Sequence, residues 1–154
     1  MEIEALRRAY AAAIESNREA ESLLNKLLQE DTGSALELAY MGATEALQAK
    51  HHRNPFRKLQ FVKQAQEILS QAVVLDPQQV EIRYLRFSIQ HHLPSFLKVQ
   101  DHWKEDKDMM LRHLLSYGNN PGLCITIGQF LIKSGRCSPQ EVERIRDILK
   151  ELPQ

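Results

Sequence analysis

Between Ala65 and Pro77 the chain reads AQEILSQAVVLDP, and no other stretch restricts the fold as much. Small Ala65 is followed by Leu69, small Ala72, Leu75 and Pro77 at intervals of four, three, three and two residues. That is the spacing of one helix face, closed by a residue that stops helices. Ala65 and Ala72 stand two turns apart, and their lack of bulk lets a second helix approach closely, with Leu69 and Leu75 expected to fill the space beside them. A helix of this kind needs a close partner helix.

The rest of the chain keeps the same period. Apolar residues recur at threes and fours, and β-branched residues cluster only at Val73 and Val74 and in CITI, Cys124 to Ile127. An all-α fold is therefore predicted. Turn-forming residues at Asp31 to Ser34, His51 to Pro55, Asp76 to Gln78, His91 to Ser95, Tyr117 to Pro121 and Ser134 to Pro139 leave helices near 35–50, 55–75, 79–91, 99–117, 121–134 and 139–151. Gly135 suits a left-handed helix end, and Ser138, Pro139 and Glu141 supply an N-cap, a first-turn proline and a capping-box acid. Pro121, after Gly118, Asn119 and Asn120, starts another helix in the same manner.

Residues 1–30 admit two readings. Ile3, Leu6, Tyr10, Ala13, Asn17, Ala20, Leu24 and Leu27 could form one continuous coiled-coil-like seam. Alternatively, ESNR at Glu15 to Arg18 is a turn, a role that suits polar Ser16 and Asn17 better than a helix interior. Ala20, Leu24 and Leu27 then repeat the four-and-three spacing of Ala65, Leu69 and Ala72. With 154 residues, the chain is read as one helical domain with hairpins at 1–30, 34–76, 79–117 and 121–152.

Leu38, Met41 and Gly42 place two large apolar residues and a small one ahead of Ala65, Leu69 and Ala72, and this pattern resembles a tetratricopeptide repeat. Tyr84, Phe87 and Ser88 offer large, large and small again, as do Cys124, Ile127 and Gly128. The resemblance implies stacked antiparallel hairpins and a role in holding other proteins; the alternative arrangement is a compact helical bundle. The departures are specific. Glu45 stands where the family has an aromatic, the spacing from Gly42 to Ala65 implies an insertion of about three helical turns, and neither Lys98 to Asp108 nor Gln140 to Lys150 carries the second-helix pattern. Ala39, Ala43 and Ala46 line one face of the first helix in place of the Lys and Asn clamp with which some family members grip peptide carboxylates. EIRYLRFSIQ and PSFL also resemble an uncharacterised bacterial family of helical proteins, which implies no activity.

Lys plus Arg and Asp plus Glu are both 20, so no whole-molecule field draws the chain to nucleic acid or an anionic membrane. No apolar run approaches a bilayer span, and MEIEALRRAY lacks the apolar core of a signal peptide, which reads as cytoplasmic. Cys124 and Cys137 read as free thiols. There is no phosphate-binding glycine loop, GxSxG or HExxH, so no catalytic residue and no cofactor is assigned.

The candidate partner-binding residues are Arg83 and Arg86 on the helix near 79–91, with His91 and His92 at the boundary that ends it. Arg83 and Arg86 stand three residues apart and can converge on one carboxylate or phosphate, or pair internally with acids such as Glu37, Glu45 or Asp101. Adjacent histidines point about 100° apart on a helix, so His51 with His52 and His91 with His92 are not two-ligand metal sets, and His113 lies too far from His102 and Asp106 to complete one. KHHRNPFRK, Lys50 to Lys58, is the one local basic cluster and reads as a solvated turn; the alternative is a nucleic-acid contact in which Phe56 stacks on a base. Trp103, Met110, Leu114 and Tyr117 read as core. The expected function is a non-catalytic protein–protein interaction or scaffolding module whose partner is another protein or peptide. The alternative is a small-molecule or metal-binding helical domain, and a homodimer through the amino-terminal seam is a third reading.

Overall fold

Ser16 divides the amino-terminal segment. Its backbone is extended, and it serves both as the last cap of α1 (Ile3–Glu15) and as the N-cap of α2 (Asn17–Gln29), where its hydroxyl accepts the Glu19 N–H. The computed structural model describes residues 1–30, 33–93, 102–117 and 120–153. Met1 N lies 3.3 Å from Glu30 Oε2, so the start of α1 meets the end of α2 and the two run antiparallel. The continuous seam is thus replaced by a hairpin, and Leu6, Ala13, Ala20 and Leu27 are buried inside the chain.

α3 (Ala35–His51) and α4 (Pro55–Leu75) form the most extensive helix pair. Gly42 explains how close they come: a Cβ there would stand 3.2 Å from the Ala65 carbonyl oxygen and 3.0 Å from Ile68 Cγ2. Ala65, Leu69 and Ala72 are fully buried, as their spacing predicts. Leu75 is not. It is 67% exposed, because a step of three from Ala72 turns it back off the face that Leu69 and Val73 share, and Val74 beside it is exposed as well.

α5 (Val80–His92) follows the turn at Asp76–Gln79 and carries nine buried residues, Val80, Glu81, Ile82, Arg83, Leu85, Arg86, Phe87, Ile89 and Gln90. α6 (Trp103–His113) packs on it and tightens into a 3-10 turn at Leu114–Tyr117, where an α-helix to residue 117 was expected. The expected start of that helix near 99 lies outside the described residues, as do Asp101, Gly118, Asn119 and the PSFL segment. α7 (Pro121–Lys133) ends at Gly135, whose φ of 73° is the left-handed conformation, and α8 (Pro139–Lys150) begins with the predicted capping box of Ser138 and Glu141. Val73, Val74 and the CITI segment are all helical, because each lies inside a segment with a sound cap and a helical apolar period.

Two cores result. One joins α1 to α4 with Ile82, Leu85 and Ile89 of α5. The other joins α6, the 3-10 turn, α7 and α8 with Val80 and Phe87 of the same helix, and includes Met110 and Leu114 of the predicted stripe, with Trp103 and Tyr117 at its edge. Among the described residues there is no strand, and no helix is long and apolar enough to cross a membrane.

Candidate functional site

Arg83 and Arg86 sit one turn apart on α5 and converge, as their spacing allows, on a single carboxylate. Arg86 grips Asp106 of α6 with two donors, Nε to Oδ2 at 2.9 Å and Nη2 to Oδ1 at 2.7 Å. Arg83 Nη1 donates to the same Asp106 Oδ1 at 3.1 Å and to Glu105 Oε1 at 2.9 Å, while its Nε donates to the Pro77 carbonyl at 3.0 Å. Arg86 Nη1 reaches Ser70 Oγ of α4 at 3.4 Å. Both arginines and Asp106 are buried, so their charges and donors are spent on holding α4, α5 and α6 together. The Arg83 hydrogen bond holds the Glu105 carboxyl below the usual carboxylate range against the opposing effect of burial.

Neither Glu37 nor Glu45, two of the acids read from the sequence, is the partner, and the third, Asp101, lies outside the described residues. Glu37 lies near Met1, and Glu45 is partly buried, with no hydrogen-bond partner for its Oε2 among the described residues and its pKa raised by burial. Asp106 was weighed with His102 as a metal pair, yet both of its oxygens are occupied by guanidinium groups. Among the described residues no group of three or more His, Cys, Asp or Glu could hold a metal ion.

A second buried acid went unmarked in the sequence. Glu81, also on α5, takes Arg7 of α1 through two donors, Nε at 2.9 Å and Nη2 at 2.6 Å, and accepts the Tyr40 hydroxyl of α3. Its hydrogen bond holds the Arg7 guanidinium above its ordinary range, and burial pushes the Tyr40 phenol up. Nothing local could reveal this cluster, because Arg7 and Glu81 are 74 residues apart.

Beside these clusters lies a cleft of about 610 Å³ between α1, α3, α5 and α7, with Lys58 of α4 at its edge. Tyr10 and Ile14 form one wall, Ala46, Leu47 and Ala49 a second, Leu85, Ile89 and Leu93 a third, and Phe130 the end. Tyr84, Ser88 and His92 add polar edges from α5, while Lys50 and Lys58 stand on α3 and α4. Lys50 Nζ donates to the Ile14 carbonyl at 3.1 Å, whereas Lys58 makes no ion pair among the described residues. The Tyr10 ring packs edge-on to Tyr40 at 5.4 Å, and burial pushes the Tyr10 and Tyr84 phenols up, which keeps them as neutral donors. Among the described residues no acidic side chain lines the cleft.

His91 and His92 both pack edge-on against Phe130, at 5.6 and 5.7 Å, and Arg136 Nε donates to His91 Nδ1 at 3.4 Å. Of the four predicted partner-binding residues, His92 alone lines the cleft. The basic cluster needs a finer description than a solvated turn. Phe56 is indeed 83% exposed, and His52 stacks on Phe61, but the two terminal lysines turn into the cleft lining. A more open groove of about 740 Å³ follows α4 past Gln66, Ser70, Val74 and Leu75. Comparison with protein-family models, curated proteins and solved structures finds no match.

Proposed function

We propose that this protein is a non-catalytic binding module that takes an apolar ligand of small-molecule size in the cleft between α1, α3, α5 and α7. One observation carries the reading: a cleft of about 610 Å³ with apolar and aromatic walls drawn from both cores and a few polar groups at its edge. Ligand pockets typically occupy roughly 300–1,000 Å³ and have this kind of lining. The buried arginines support it indirectly, because their donors are engaged on Asp106, Glu105, Ser70 and the chain itself.

Thermal denaturation with decanoate, decanol and decylamine tests the reading. At least one should raise the melting temperature in a saturable manner. Ser88→Trp, which fills the cleft from a half-buried position, should abolish that rise while leaving the helical circular dichroism intact. No rise with any of the three overturns the reading.

A second reading, a tetratricopeptide-like module for a protein partner, is favoured by two hairpins built on glycine. Gly42 admits α4 to α3, and Gly128 admits Ile145 and Leu149 of α8 to α7. The exposed Val74 and Leu75 on α4 are the surface such a partner would cover.

A further inference from the structure

We infer that the cleft selects an anionic amphiphile, a small carboxylate whose apolar body lies among Tyr10, Leu47, Ile89 and Phe130 and whose head group is held by Lys50 and Lys58. This rests on the proposed reading of the cleft as a ligand site and goes one step further, to the charge of the ligand.

Neither large core contains a residue of the run KHHRNPFRK. Lys50 belongs to the last turn of α3, where a cation suits the carbonyl end of the helix, and it already donates to the Ile14 carbonyl at the end of α1. Lys58 is different. It stands in the opening turns of α4, where a cation opposes the helix dipole, and the first turn of α4 has no acidic residue to offset it. Its helix therefore gives no reason for a lysine there, and no carboxylate among the described residues pairs with it. The connection from His52 to Asn54 brings these two lysines, eight positions apart, to one cleft.

Charge complementarity then decides the ligand. The whole chain is neutral, with 20 basic and 20 acidic residues, yet the described residues of the cleft lining include two lysines and no acid. Inside apolar walls an anion loses water, and ammonium groups with neutral Tyr10 and Tyr84 hydroxyls are the donors that replace it. A cationic ligand would meet the same lysines as repulsion. The lining side chains come from five helices, α1, α3, α4, α5 and α7, around a cavity, which favours a compact molecule over an extended peptide.

Isothermal titration calorimetry at low ionic strength with decanoate, decanol and decylamine separates head group from tail. Decanoate should bind one to one and at least about tenfold more tightly than decanol, with decylamine weakest. The double variant Lys50→Gln, Lys58→Gln should bring decanoate down to the decanol level and leave decanol itself unchanged. A salt series on the wild-type protein gives an answer independent of any variant: the preference for decanoate should shrink as salt rises. Equal affinity for decanoate and decanol, or a preference that persists in the double variant or is indifferent to salt, overturns the anionic assignment and leaves the cleft as a ligand site. Failure of all three compounds to bind overturns both.

Discussion

The two halves of the molecule solve the same problem with opposite polarity, and α5 is the element they share. On the amino-terminal side α5 contributes an acid, Glu81, to a cation from α1 and a phenol from α3. On the carboxy-terminal side it contributes two cations, Arg83 and Arg86, to an acid from α6. The clusters also differ in exposure. The Arg7 side chain keeps 20% of its surface in water and has Glu4 as a further partner, whereas Arg83, Arg86 and Asp106 have almost none. A partner that can return to solvent limits the damage when its ion pair is cut, and a sealed one does not.

Cutting each acid should expose that difference. Asp106→Ala removes the buried carboxylate that two guanidiniums share, leaving Arg86 with only Ser70 within hydrogen-bond distance among the described residues, and should cost about 3–5 kcal/mol in urea denaturation. Glu81→Ala should cost less, about 2 kcal/mol, because Arg7 can turn outward to water and Glu4. Equal losses would erase the distinction between the halves.

The glycine hairpins offer a smaller test. A methyl on Gly42 meets the Ala65 backbone carbonyl, which cannot move aside, so Gly42→Ala should destabilise by about 1 kcal/mol despite its gain in helix propensity. At Gly128 the neighbours are the branch ends of Ile145 and Leu149, which can shift by a few tenths of an ångström. Gly128→Ala should fall within about 0.5 kcal/mol of wild type by the same measurement. A larger loss at Gly128 would reverse the ranking of the two interfaces.

The smallest effect concerns pH. Glu105 is held below its ordinary value of 4.5 in the fold, so its stabilising contribution is present above that value and is lost as pH falls through the lowered one. Glu105→Gln should therefore flatten the acid limb of the stability profile. Its side chain is 57% exposed, so the difference should be about 0.5 kcal/mol or less. An unchanged slope would show that the carboxy-terminal cluster does not depend on its exposed edge.

The helices could be read in the sequence because their ends carry their own chemistry: Ser16, Ser34, Asn54 and Ser138 all accept backbone N–H groups where a turn was expected. Spacing was less reliable at the margin of a face, where Leu75 belongs to the helical period but lies outside the contact. The internal pairing of Arg83 and Arg86 followed from charge in an apolar helix, but its partner did not, since Asp106 looks the same in sequence as any exposed acid. The cleft was hidden for a related reason. Each of its residues is unremarkable locally, and only the approach of five helices makes a cavity of them. Lys50 and Lys58 were visible as part of a basic run, but its two ends meet only because α3 and α4 fold back on each other.

Because α5 supplies buried residues to both cores, neither half can finish packing before that helix is in place. The cleft also depends on it, since one wall is made of α5 side chains. Loss of either half should then carry the other with it, in a single cooperative unfolding transition rather than two. A binding event in the cleft would be felt by the whole chain as one unit, and hydrogen exchange on helices as distant as α2 and α8 should slow together when a ligand is bound.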